Sequence, residues 1–205
     1  MKKILISQKA FHFSLLFGLF CALFLSLGQF DAACDELRTN VLRLHIIANS
    51  DSDFDQALKL KVRDAVLKES PDLFGKAHDT RSAIETARSS TEEINAIAKN
   101  VLKENGVGYS SATIVGKSYF GTREYDDFTL PAGEYDSVII TLGDGGGKNW
   151  WCVIFPEVCL PAASEVSLNK SANEQGCEIA YNKERYILRF KTVEIYEDIK
   201  KLIKN

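Results

Sequence analysis

The chain has 205 residues, 45% hydrophobic and 26% charged, with 25 Lys and Arg against 28 Asp and Glu and a formal net charge of −3. This mixed, mildly acidic balance contains no basic stripe interleaved with aromatics, so nucleic acid is not an expected partner. The N-terminus is set apart from the rest. Lys2, Lys3 and Lys9 precede residues 11–27 (FHFSLLFGLFCALFLSL), which carry no charge at neutral pH. At about 17 residues the run exceeds most signal-peptide cores and sits at the lower edge of a bilayer span. Residues 1–28 are therefore read as a signal peptide or membrane anchor. Ser26 and Gly28 flank Leu27 in the small-x-small pattern that favours cleavage after Gly28. Asp31-Ala32-Ala33-Cys34 is a poor lipobox, because an acid stands where an aliphatic residue is needed. Residues 29–205 are long enough to bury the core of one extracytoplasmic domain.

The domain opens with residues 41–48 (VLRLHIIA), a β-branched run in which Arg43 and His45 alternate with apolar neighbours, predicting a strand. Asn49-Ser50-Asp51-Ser52-Asp53 stops it. Ser52 or Asp53 can cap the helix that follows, with Asp55 in its first turn and Leu58, Val62, Ala65 and Val66 on one face. That helix is expected to end near Ser70-Pro71. A second helical stretch covers 80–104, with a break expected at Ser89-Ser90-Thr91 and a stop at Asn105-Gly106. Strands are then expected at 112–119, 137–142 and 150–155. The last two would be joined as a hairpin through Gly143-Asp144-Gly145-Gly146-Gly147. A polar, irregular loop is expected over 162–182, a fifth strand over 186–190 and a closing amphipathic helix over 193–203. Helices towards both ends and strands between them predict an α+β fold with a largely antiparallel sheet.

The chemistry-bearing patterns are weak for catalysis. Asn49, Asp51, Asp53 and Asp55 alternate as in a calcium loop, but Gln56 or Phe54 falls where the turn needs Gly, and Val62 or Leu60 where the bidentate acid belongs. Gly147-Lys148 lacks the first Gly and the Ser/Thr of a phosphate loop. Outside the leader only His45 and His78 remain, without metal-ligand spacing, so no metal and no cofactor is expected. A thiol nucleophile pairing Cys152 with His45 is conceivable, as is an acid pair from Asp51 and Asp64; neither has a spacing that brings its members together. Cys21 belongs to the leader, which leaves four cysteines, and Cys152 with Cys159 is the expected disulfide, since Pro156 lies where the chain could reverse. Free buried thiols are the alternative. Trp150 and Trp151 point to opposite faces of a strand, so at most one fills the helix-side core and the other is available to a partner or glycan.

The motifs LRLHIIANSDSDFDQALKLKVRDAVL (42–67), LPAGEYDSVIITLGDGGGKNWWCVIFPEVC (130–159) and RFKTVEIYEDIKKLI (189–203), behind an export segment, resemble the stage II sporulation protein R family of endospore-forming bacteria. The resemblance implies a non-enzymatic signalling protein, made in the forespore and exported into the space between the forespore and mother-cell membranes. Its implied partner is a membrane-embedded aspartic protease that processes the mother-cell pro-sigma factor. Membrane contact would run through the N-terminal segment if it stays uncleaved. A secreted hydrolase or a wall-binding module are the alternatives. For a protein ligand, the expected contact surface is Asn49, Ser50, Asp51 and Gln56 in the turn, with Lys148, Asn149 and Trp150 at the nearby loop, because the turn holds more polar groups than a helix cap uses. The competing expectation is a buried polar network joining Arg43, His45 and Asp51.

Overall fold

A computed structural model describes residues 8–125, 128–156 and 174–204. The first helix, α1 (Gln8–Thr39), carries the apolar run 11–27 in its first half, where Phe13, Leu16, Phe20 and Leu25 are exposed. It continues past Gly28 because Phe30, Ala33, Cys34 and Leu37 recur at helical spacing and are buried in the domain. Among the described residues no helix is long and apolar enough to cross a membrane; the side chains of Leu23, Phe24 and Leu27 lie outside that set.

Strand β1 (Leu42–Ile47) follows, then α2 (Asp53–Phe74), α3 (Thr80–Ser89) and α4 (Thr91–Glu104). Ser52 caps α2 by accepting from the Asp55 amide, and Asp79 with Ser82 forms a capping box on α3. The predicted break between α3 and α4 falls at Ser90. Helix α2 does not end at Pro71 as expected. A proline inside a helix leaves the carbonyl four residues back without its amide donor, and here Ser70 Oγ donates to that Leu67 oxygen at 2.8 Å. Phe74, buried one turn later, holds the extension.

The remaining elements are β2 (Ser111–Phe120), β3 (Arg123–Glu124), β4 (Thr129–Leu130), β5 (Gly133–Leu142), β6 (Asn149–Phe155), α5 (Glu174–Tyr181) and α6 (Lys183–Lys204). The main sheet has the order β2-β5-β1-β6. Two of its pairings are antiparallel and the β1-β5 pairing is parallel, so the α+β, largely antiparallel expectation holds for a mixed sheet. The expected β5-β6 hairpin does not form: β1 lies between these strands, and the glycine-rich loop crosses over its end. Residues 186–190, expected as a fifth strand, lie in α6, because Tyr186, Phe190 and Val193 fall on one helical face and pack inward. Residues 174–181, part of the expected loop, are helical; residues 162–173 lie outside the described residues.

Each face of the sheet has its own core. Leu44, Ile46, Val138, Ile140, Cys152 and Ile154 pack against Leu58, Val62, Val66, Ala87, Ile94 and Ala98 of α2, α3 and α4. Full burial of such side chains stabilises by about 1.5–3 kcal/mol each. On the opposite face Tyr135, Phe120 and Val153 meet Leu37, Phe190 and Val193 from α1 and α6. This second layer covers only part of the sheet. It explains why Arg43 and His45, the polar positions of β1, are buried.

Candidate partner-binding surface

The turn after β1 and the loop after β5 leave from the carboxyl ends of the two parallel strands and interlock there. Gly146 N donates to Asn49 O at 3.1 Å and Gly147 N to Ala48 O at 2.9 Å. A Cβ on Gly147 would stand 2.2 Å from Ser50 O, and one on Gly143, whose φ is +55°, would meet Asn49 Oδ1 at 2.1 Å. The glycines therefore let the loop press onto the turn, instead of loosening a hairpin tip.

The centre of this junction is Asp55. Its carboxylate accepts from Ser50 Oγ at 2.6 Å, Tyr109 Oη at 2.6 Å and Asn49 Nδ2 at 2.9 Å. The Ser50 bond, then the Tyr109 bond, hold its pKa below the usual carboxylate value against the effect of burial. Burial, then the bond to Asp55, raises the Tyr109 phenol. Asn49 Oδ1 also accepts from Asp144 N at 3.0 Å, and Asp51 Oδ1 from Lys148 N at 2.7 Å. Gln56 Nε2 donates to Ser50 O at 2.9 Å. Lys59 Nζ donates to Gln56 Oε1 at 2.6 Å and to Lys148 O at 2.9 Å; burial lowers its pKa. Sequence reasoning did not single out Asp55, Lys59 and Tyr109 as members of this assembly. Only the placement of Asp55 in the first turn of α2 hinted at the first.

The structure thus brings Asn49, Ser50, Asp51, Gln56 and Lys148 together, mostly through bonds to one another. Asn149 and Trp150 diverge. Trp150 faces the helices, with the Arg63 guanidinium carbon 4.5 Å from its ring centroid. Asn149 is exposed on the opposite face, where two rows cross the sheet: Ala112-Thr141-Ile47-Asn149 and Ile114-Ile139-His45-Trp151. Ile114 is 60% exposed, and Ile47, Ile139, Thr141 and Trp151 are half-buried. This open, weakly polar strip adjoins the interlocked loop and is rimmed by Lys148 and Asn149.

Arg43, His45 and Asp51 do not bond one another. Arg43 is fully buried, its guanidinium carbon 3.9 Å from the Phe120 ring centroid and 4.9 Å from that of Tyr135, with Nη2 donating to Tyr125 Oη at 2.8 Å. His45 Nδ1 shares a hydrogen bond with Ser118 Oγ at 3.2 Å. Burial, reinforced by the Arg43 charge, lowers its pKa, and Asn149 opposes the shift.

The register corrects the idea of a thiol nucleophile. Cys152 sits beside Leu44 on the helix-covered face while His45 faces the other way, and Cys152 is disulfide-bonded. Its expected partner, Cys159, lies outside the described residues. The Asp51 and Asp64 carboxylates are engaged separately, the latter with Arg63 at 2.6 Å. Among the described residues no group of three or more His, Cys, Asp or Glu side chains is gathered as a metal site requires.

A family model described as stage II sporulation protein R matches residues 38–165, which contain the turn, the loop and every strand of the sheet. This chain belongs to the stage II sporulation protein R family. A relative, stage II sporulation protein R of Bacillus subtilis (strain 168), is 39% identical over 158 residues, covering 77% of this chain and 66% of the relative. The match therefore falls just short of two thirds of that relative's length. No solved structure matches. The family is one of sporulation proteins, named for a stage of spore formation and not for a reaction.

Proposed function

We propose that the chain is an exported signalling protein of sporulation, acting between the forespore and mother-cell membranes to activate a membrane-embedded aspartic protease that processes a pro-sigma factor. Family membership carries the sporulation role. The finer reading is supported by the open sheet strip beside the interlocked turn and loop. Ile114, Ile139, Ile47 and Trp151 give it apolar contact area, and Lys148 and Asn149 give it a polar rim. The turn network has a supporting part in this reading, holding the rim rigid so that little ordering entropy is lost on binding. Activation requires tighter binding to the active state of the protease than to the inactive one, since equal affinity shifts nothing.

Co-expression of the chain with the protease and its pro-sigma substrate in a non-sporulating host tests the proposal. Processing that depends on both chain and protease, with no turnover of wall material, is the expected result. Unchanged processing when the chain is omitted, or wall turnover by the chain alone, overturns it.

A further inference from the structure

Helix α6 is apolar on two sides. Phe190 and Val193 face the protein, with Phe190 and Phe30 ring centroids 5.4 Å apart, and Asp198 accepts from Tyr119 Oη at 2.7 Å. On the opposite side Leu188, Ile195, Ile199 and Leu202 recur at helical spacing, with exposures of 81, 53, 51 and 78%. A stripe of this size on a helix that already has a buried face marks an interaction surface.

Charge decides what fits it. The helix carries seven basic and four acidic residues, a net charge of +3 within a chain of −3. Three of its four acids are engaged: Glu197 is buried and meets Lys200 at 3.3 Å, Glu194 pairs with Lys191 at 2.9 Å, and Asp198 holds Tyr119. By helical spacing Arg185, Arg189 and Lys200 run along one flank of the apolar stripe; Arg185 meets Glu178 at 3.2 Å and Lys200 meets Glu197, yet both remain more than half exposed. The stripe also begins where the apolar leader meets the domain. Phe30, two residues beyond Gly28, stacks on Tyr186 at 5.7 Å, and the Arg189 guanidinium carbon lies 5.8 Å from the same Phe30 ring.

We propose that α6 is an interfacial helix that lays its outer face into the headgroup layer of an anionic bilayer, holding the domain against the membrane independently of the leader. Apolar residues on one face with Lys and Arg beside them are what such a surface selects. Pairing with a second copy is the competing occupant and is disfavoured, because two helices of +3 would meet along the stripe.

The test uses the full chain and vesicles carrying a phospholipid with a photoactivatable acyl chain. One set contains equal parts phosphatidylglycerol and phosphatidylcholine, the other phosphatidylcholine alone. Adducts are mapped by mass spectrometry. The expected result is adducts on Leu188, Ile195, Ile199 and Leu202 with the anionic vesicles. They should fall about tenfold or more in the Ile199→Asn, Leu202→Asn double variant, whose thermal midpoint should not change because both positions are exposed. Adducts on residues 11–27 serve as the internal reference and stay constant. The proposal is overturned by adducts confined to residues 11–27, by no association with vesicles, or by equal α6 adducts in both vesicle types. It is equally overturned by a dimeric mass with α6-to-α6 crosslinks, which would make the stripe a self-association surface.

Discussion

Replacing Asp55 by Ala removes the acceptor for three side-chain donors at once: Ser50 Oγ, Tyr109 Oη and Asn49 Nδ2. A hydrogen bond to an ionised group contributes about 1.5–3 kcal/mol. The Ser50, Asn49 and Tyr109 side chains are only half-buried, so water recovers part of each bond. The lower end of that range therefore applies, and with partial recovery the total comes to about 3 kcal/mol. The effect also carries a pH signature. Asp55 titrates below its ordinary value of 3.8, so the unfolded chain takes up a proton that the folded chain refuses. The contribution is fully present above pH ~4 and is lost as the pH falls through the folded value. Urea denaturation of wild type and Asp55→Ala at pH 7 and in a series down to pH ~3 reads both features. A loss under about 1 kcal/mol at pH 7, or a difference that persists undiminished in acid, would refute the assignment of Asp55 as the hub of the turn.

Gly147→Ala should destabilise by about 1–3 kcal/mol, because the added methyl meets Ser50 O and backbone must move; Gly108→Ala, in open space, is the control in the same urea series. His45, whose pKa burial lowers, contributes instability in acid. Above its ordinary value of 6.5 folding is indifferent to it, and as the pH drops through 6.5 the unfolded chain gains a proton that the folded chain resists, so stability falls. His45→Gln should flatten the thermal midpoint between pH 7 and pH 5. Arg43→Lys should cost about 2 kcal/mol in chemical denaturation, because an ammonium cannot stack between Phe120 and Tyr135 and also reach Tyr125.

Much of this architecture was legible in local patterns. Ser52 marks the start of α2 by accepting from a free backbone amide, the weak helix formers Ser89-Ser90-Thr91 mark a pause, with the Ser89 and Thr91 hydroxyls donating to carbonyls of the preceding turn, and the structure places boundaries at both. The errors arose where distant contacts decide. Gly143 to Gly147 read as a hairpin tip because spacing between strands does not reveal that β1 inserts between them. Tyr186 to Phe190 read as a strand because a short apolar run fits both periods, and only contact with Phe30 shows which face is inward. The alternative of a buried network joining Arg43, His45 and Asp51 anticipated burial but not the partners: aromatic rings from β2 and β5 enclose Arg43, a second layer covers both residues of β1, and Asp51 accepts from Lys148 N instead. In the turn, the surplus of polar groups was visible at Asn49, Ser50, Asp51 and Gln56. Their shared acceptor was not, since Tyr109 lies 54 residues from Asp55.

The central claim is that the open strip of the sheet, rimmed by Lys148 and Asn149, is the face through which this chain activates its protease. Asn149→Ala and Ile114→Asp alter exposed positions on that strip, the first giving up a hydrogen bond to His45 and neither removing a core side chain. Paired measurement of thermal midpoint and of pro-sigma processing in the co-expression host tests the claim most directly. The account predicts stabilities within about 1 kcal/mol of wild type, the scale of one hydrogen bond, and a loss of processing in both variants. Normal processing by both, or a loss only in proportion to unfolding, would contradict it.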